Sequence, residues 1–141
     1  MRIISFCILL LAGAAVGLAA YQDQPGPAPR DADFYAGRWE VAVGQHPTNG
    51  PFDRVLELRV SGAKLTGTLT TGSRTVGVVG ELDKGFYLRT EASTDPSPQV
   101  EVETFVGAAW DGTLLHGTYF RSIGDSTRKT GWAARRPTLP K

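Results

Sequence analysis

Cysteine is all but missing from this chain. The single residue, Cys7, lies inside an apolar N-terminal run, so neither a disulfide nor a thiolate metal site is available to a domain downstream of it. Histidine is nearly as scarce. His46 stands in a Pro/Gly-rich loop and His116 in an alternating segment, and no compact His/Asp/Glu spacing of the metal-ligating kind occurs. No Gly-x-Ser-x-Gly elbow offers a nucleophile, and Gly77-Val78-Val79-Gly80 lacks the lysine and the following helix of a phosphate loop. These gaps point to a protein that is not an enzyme and uses no cofactor or metal; His46 beside an acid of the same end is the one catalytic combination left. Charge of one sign is lacking too. Without Arg2, fifteen basic residues become fourteen, against fourteen acidic ones, so no global field recruits nucleic acid or anionic lipid.

What is there begins with a secretory signal peptide over residues 1–20: Arg2, an apolar run from Ile3 to Leu18, and small residues that fit cleavage near Ala19 or Ala20. The expected destination is secreted or periplasmic, with no membrane span once the signal is cut. Residues 21–33 hold Pro25, Pro27 and Pro29 among polar neighbours and read as a flexible or extended leader. The folded domain is expected over 34–137, with 138–141 as a tail; its length suffices for one domain with a core of its own.

Helical periodicity is absent as well, and turn signals recur about every ten residues, which argues for an all-β domain. About eight strands are predicted, roughly at 37–44, 53–60, 63–71, 74–82, 86–92, 99–110, 113–121 and 129–136. Tight loops are expected at Ser61-Gly62, Asp83-Lys84-Gly85 and Asp111-Gly112. The Asp-Gly pair would set Trp110 opposite Thr113. Val100, Val102, Thr104, Val106, Ala108 and Trp110 would then share the inner face with Leu115, Gly117 and Tyr119, leaving Glu101, Glu103, Phe105, His116 and Phe120 outside. Leu56, Leu58, Val60, Leu65, Leu69, Val76, Val78, Leu82, Phe86 and Leu88 fall in the same inner phase. Sequential strands that agree in phase across three turns predict one up-and-down antiparallel meander, closed into a barrel. The three tight loops would lie at one closed end. The connections Gly44 to Phe52, Thr71 to Ser73, Ala92 to Pro98 and Ser122 to Arg128 would form an open one.

Gly37-Arg38-Trp39, followed by a meander ending in Trp132 and Arg135-Arg136, resembles the calycin group, meaning lipocalins and avidins. The resemblance implies a small barrel closed at one end, with Gly37 and Trp39 packed against Arg136. Leu65-Thr66-Gly67-Thr68 is similar to the second hairpin of avidins, but Leu69 stands where that family carries a ligand-contacting tyrosine, so biotin binding is not implied. Gly67, Gly80, Ala108 and Gly117 leave inner space that the three tryptophans fill or that remains as a cavity; pattern alone leaves both open.

Three arginines, Arg54, Arg74 and Arg121, fall in the inner phase at the open end. Guanidinium groups at the mouth of an apolar cup suit an amphipathic anion such as a fatty acid or other lipid, with Tyr119, Thr104 and Trp110 as further ligand contacts. The plainer alternative is that they reach water and pair with Asp53, Asp95 or Asp125. A competing function is a protein-interaction or protease-inhibitor-like accessory module acting through outer wall, loops or leader. In that case Phe105 and Phe120 would form an outer patch for a protein partner or a second copy.

Overall fold

The structure, a computed structural model, describes residues 31–83, 85–91, 101–110 and 113–139. The signal peptide, most of the leader, the Ala92–Pro98 connection and Asp95 lie outside them. Eight antiparallel strands follow one another around a closed barrel, each paired with its sequence neighbours and the last with the first. They are β1 (Gly37–Gly44), β2 (Arg54–Ser61), β3 (Lys64–Thr71), β4 (Arg74–Leu82), β5 (Phe86–Thr90), β6 (Glu101–Ala109), β7 (Leu114–Ile123) and β8 (Ser126–Arg135). The expected all-β up-and-down meander is therefore the fold. Among the described residues no helix is long and apolar enough to cross a membrane.

Alternation decides which side chains go inside. Leu56 and Leu58 of β2, Leu65 and Leu69 of β3, Val78 of β4, and Phe86 and Leu88 of β5 are all buried, as their shared phase predicts. The first hairpin nevertheless pairs Val60 with Leu65, so its two-residue loop is Gly62-Ala63 and not Ser61-Gly62. A two-residue shift preserves the faces. Gly62 takes a φ of 60°, the left-handed conformation that a two-residue hairpin turn requires and that glycine adopts without strain.

β6 departs from expectation. Ala109 pairs with Leu115 and Phe105 with Tyr119, one residue away from the register that an Asp111-Gly112 turn would impose. A slip of one residue exchanges the faces of the whole strand. Phe105 is thus buried against Tyr119 and Trp132, Glu103 faces inward, and Thr104 and Val106 face out. The physical gain is volume: Phe105 fills the barrel where Val106 would leave a gap, and Gly107 lies against Gly117 of β7 where the two backbones nearly touch. A Cβ on Gly117 would stand 1.9 Å from the Val106 carbonyl oxygen. Gly117→Ala is expected to cost about 2–3 kcal/mol through forced backbone movement, read as a lowered urea midpoint. Gly124→Ala, in an open turn with nothing within 4 Å, serves as the contrast for φ strain alone.

The ends differ as the meander requires. At the closed end a 3-10 turn, Ala32–Tyr35, inserts Tyr35 beneath the barrel, where its ring stacks on Phe86. Trp39 is fully buried and donates its indole N–H to the Tyr35 carbonyl at 2.9 Å. Arg136 lies 3.8 Å above the Trp39 ring and donates to the carbonyls of Arg38 and Phe34, so Gly37, Trp39 and Arg136 meet as expected. Gly72-Ser73 is the two-residue connection that the expected strand bounds leave, but another connection at this end is tighter than expected. Gly124-Asp125 is a two-residue turn, so β7 and β8 run on into what reads as a polar loop from Ser122 to Arg128. The first connection does not stand at the mouth: its 3-10 turn, Pro47–Asn49, folds over the seam of β1 and β8 and buries Ala42 and Ala133 from outside.

Candidate functional site

The mouth is assembled from the first or last residues of five strands. Arg54 opens β2, Thr71 ends β3, Arg74 opens β4, Glu101 and Glu103 lie at the start of β6, and Arg121 lies near the end of β7. With Leu69 and Val76 they line a depression of about 250 Å³. The three inner-phase arginines are thus brought together. They meet glutamates that alternation alone assigns to the outer wall, and neither Asp53 nor Asp125 pairs with them.

Two layers of charge result. In the deeper one Arg54 donates to Glu103 at 2.6 Å, and the Tyr119 hydroxyl donates to the same carboxylate oxygen at 2.5 Å. The Glu103 backbone N–H donates to the Thr90 hydroxyl at 2.9 Å, which ties β6 to β5 at this level. The Arg54 guanidinium also lies 5.4 Å from the centre of the Tyr119 ring. In the outer layer Glu101 accepts from Arg121 at 2.7 Å and from Arg74 at 3.4 Å. That second contact spans a gap among the described residues, where β5 pairs with β4 only from Val78 onward and leaves the start of β4 uncovered on that side.

Burial and partners shift the acids and bases accordingly. The Tyr119 phenol is pushed up to about 12, first by burial and then by its hydrogen bond to Glu103. Glu101 is held below the usual carboxylate range, chiefly by the hydrogen bond from Arg121. For Arg54, burial lowers the value most, yet Tyr119 and Glu103 together leave it raised. Because the Tyr119 phenol keeps its proton more tightly folded than unfolded, its share of stability is whole below pH about 10 and is lost as pH climbs toward 12. An ultraviolet titration should show one tyrosine ionising near that upper limit, and Tyr119→Phe should remove that step alone.

Below the mouth the barrel is filled by rings in edge, tilted or stacked contact. Tyr119, Phe105, Trp132, Phe86 and Tyr35 follow one another toward the closed end, with neighbouring centroids 5.1 to 5.9 Å apart. The pattern left open whether the interior is packed or hollow; these rings take up the space beneath Tyr119. Two other expected contacts are not at the site. Thr104 is on the outer face, opposite Phe120, because of the β6 register. Trp110 is 65 % exposed at the closed end, its ring edge-on to His116. The same register separates Phe105 from Phe120 by the thickness of the wall, so they form no outer patch. Tyr87, Val106 and Trp110 are the large apolar side chains left exposed on that wall.

Arg128 is a mouth residue that pattern reading misses. It shares the inward phase of Trp132 and sits directly opposite Arg121 across the β7–β8 ladder. Its only signal is position in an alternating strand, hidden because SIGDSTR reads as a loop. Among the described residues no three His, Cys, Asp or Glu side chains converge as a metal site. His46 lies beside the 3-10 turn on the outer seam and His116 on the wall of β7, so neither reaches the mouth. Compared with known proteins, the chain matches no protein-family model, no curated protein and no solved structure.

Proposed function

We propose that this protein is an exported, non-catalytic binder that holds a small anionic or amphipathic ligand at the open end of a calycin-like barrel. The observation that carries the reading is the convergence of Arg54, Arg74 and Arg121 around one depression, offset among the described residues by Glu101 and Glu103. A carboxylate or phosphate there would find forked donors in a partly desolvated setting, where charge-assisted hydrogen bonds are strongest. Leu69 and Val76 offer limited apolar contact at the same level. A long acyl chain would need Tyr119 and Phe105 to move aside, so the fitting ligand is short or lies across the mouth. The calycin reading is supported by Trp39 under Arg136 at the closed end. The non-catalytic reading is supported by a mouth whose acids are held in ion pairs and whose tyrosine is held protonated.

Native mass spectrometry of the chain purified from the host that exports it, followed by solvent extraction, tests the reading. A stoichiometric anionic adduct that is lost in the exposed-rim variant Arg74→Ala/Arg121→Ala supports it. A clean apo mass with no uptake of added anions would end it. The second reading, a protein-interaction module, has its own observation in Tyr87, Val106 and Trp110, exposed together on the β5–β7 wall. Under that reading Trp110→Ser weakens partner capture, while the arginine variant leaves it unchanged.

A further inference from the structure

The mouth carries more positive charge than its glutamates balance, and the excess has a definite place. Among the described residues, four arginines stand on the inner phase, Arg54, Arg74, Arg121 and Arg128, against two carboxylates, Glu101 and Glu103. Arg54 is committed in the deeper layer to Glu103 at 2.6 Å and to the Tyr119 hydroxyl at 3.5 Å. Glu101 is committed to Arg121 at 2.7 Å and reaches Arg74 only at 3.4 Å, through a side chain that is about half exposed. Arg128 makes no ion pair among the described residues and is exposed. It is nonetheless directly opposite Arg121, a placement that brings two side chains to roughly 5 Å at their Cβ atoms and is unfavourable for like charges.

The fold keeps this pair in place at the rim. β1 covers β8 only from Gly131 to Arg135, so Ser126–Thr130 is held by β7 alone, while the facing end of β7 stays paired with β6 as far as Ile123. Arg121 lines the depression and Arg128, opposite it in the ladder, shares its inward phase, while Lys129 and Phe120 take the other phase.

We propose that the mouth selects a compact dianion of the phosphomonoester class, gripped by Arg74, Arg121 and Arg128, with Arg54 as a positioning residue held by Glu103. The proposal rests on the open-end reading above and deepens it. Two uncompensated guanidinium groups match a head that carries close to two negative charges at neutral pH and three acceptor oxygens on one atom. A monocarboxylate neutralises one of them and leaves the other facing Arg121. Two carboxylates separated by a spacer suit less well, because the opposed arginines are direct neighbours on adjacent strands. The filled interior favours a head that stays at the surface over a tail that must enter.

The test is calorimetry of the purified chain with phenyl phosphate, benzoate and inorganic phosphate at neutral pH and low salt. Phenyl phosphate is expected to bind at least about tenfold more tightly than benzoate. Arg128→Ala, Arg74→Ala and Arg121→Ala should each weaken phenyl phosphate by about tenfold, and Lys129→Ala, a charge loss on the opposite phase, should leave it within about twofold. Inorganic phosphate matching phenyl phosphate supports the dianion site and makes the head group the whole ligand. Benzoate binding as tightly as phenyl phosphate overturns the selectivity and leaves the open-end reading standing. Lys129→Ala weakening binding as much as Arg128→Ala overturns the placement, since the attraction would then be general charge. Binding of none of the three overturns both readings.

Discussion

Trp39→Ala is expected to lower the unfolding free energy by about 3–5 kcal/mol, the largest loss of any single change to the closed end. The ring is wholly buried, so its removal forfeits apolar burial and leaves a hole ringed by Phe34 and Tyr35 that neighbours only partly refill. It also removes two polar contacts. The Tyr35 carbonyl loses the indole N–H that meets it at 2.9 Å, and Arg136 loses the ring face on which it lies. Trp39→Phe retains a ring for Arg136 to cover and loses the N–H, so its expected cost is about 1–2 kcal/mol. Urea denaturation monitored by circular dichroism measures both. A shifted midpoint with an unchanged slope identifies lost stability, and against a total of about 5–15 kcal/mol the alanine variant sits near the edge of folding. A cost below about 1 kcal/mol for Trp39→Ala would mean that the closed end is not held by this stack.

Glu103→Ala is expected to cost about 2–4 kcal/mol, somewhat less than the loss of a partner in a fully buried ion pair, because the side chains of Arg54 and Glu103 keep 20 % and 10 % of their exposure. One deletion takes the carboxylate from two groups, the Arg54 guanidinium and the Tyr119 hydroxyl, and opens the space in the barrel that it fills. Glu103→Gln keeps an acceptor for Tyr119 while removing the charge and should fall between. The informative comparison is Arg54→Leu with Glu103→Leu. Replacing both members of a buried pair by apolar groups is often neutral, so the double variant should recover most of what Glu103→Ala loses. Glu101→Ala, in the exposed outer layer, should stay within about 1 kcal/mol. If Glu101→Ala proved as costly as Glu103→Ala, the two-layer account of the mouth would be wrong.

Much of the barrel was legible because most strands bury one face, and burying one face fixes the phase of every residue in the strand. Leu56, Leu65, Val78 and Phe86 went inside for that reason alone, and even a hairpin set two residues out of register kept its faces. β6 was not legible because both of its phases are partly apolar. Val102 and Val106 compete with Phe105 and Ala109, and the Asp111-Gly112 signal favours the register that the barrel rejects. What decides is remote: Glu103 goes inside because Arg54, 49 positions earlier, and Tyr119, 16 later, are there to meet it. No local pattern carries that information. The arginines of the mouth were legible from alternation, whereas their partners were not, since carboxylates ordinarily face water. Arg128 was hidden for a third reason, namely that a run of small polar residues around Gly124 looks like a long loop and forms a two-residue turn. Its strands are held across the ladder, where Ser122 and Thr127 share a hydrogen bond at 3.0 Å.

Under the proposed function a ligand is held at the open end and not on the wall. Amide chemical-shift mapping of the isotopically labelled chain during titration with phenyl phosphate separates the two places. Saturable shifts should cluster on Arg54, Thr71, Arg74, Glu101, Arg121 and Arg128 and leave Tyr87, Val106 and Trp110 unmoved. Shifts confined to those last three residues, or no saturable shift anywhere, would contradict that reading.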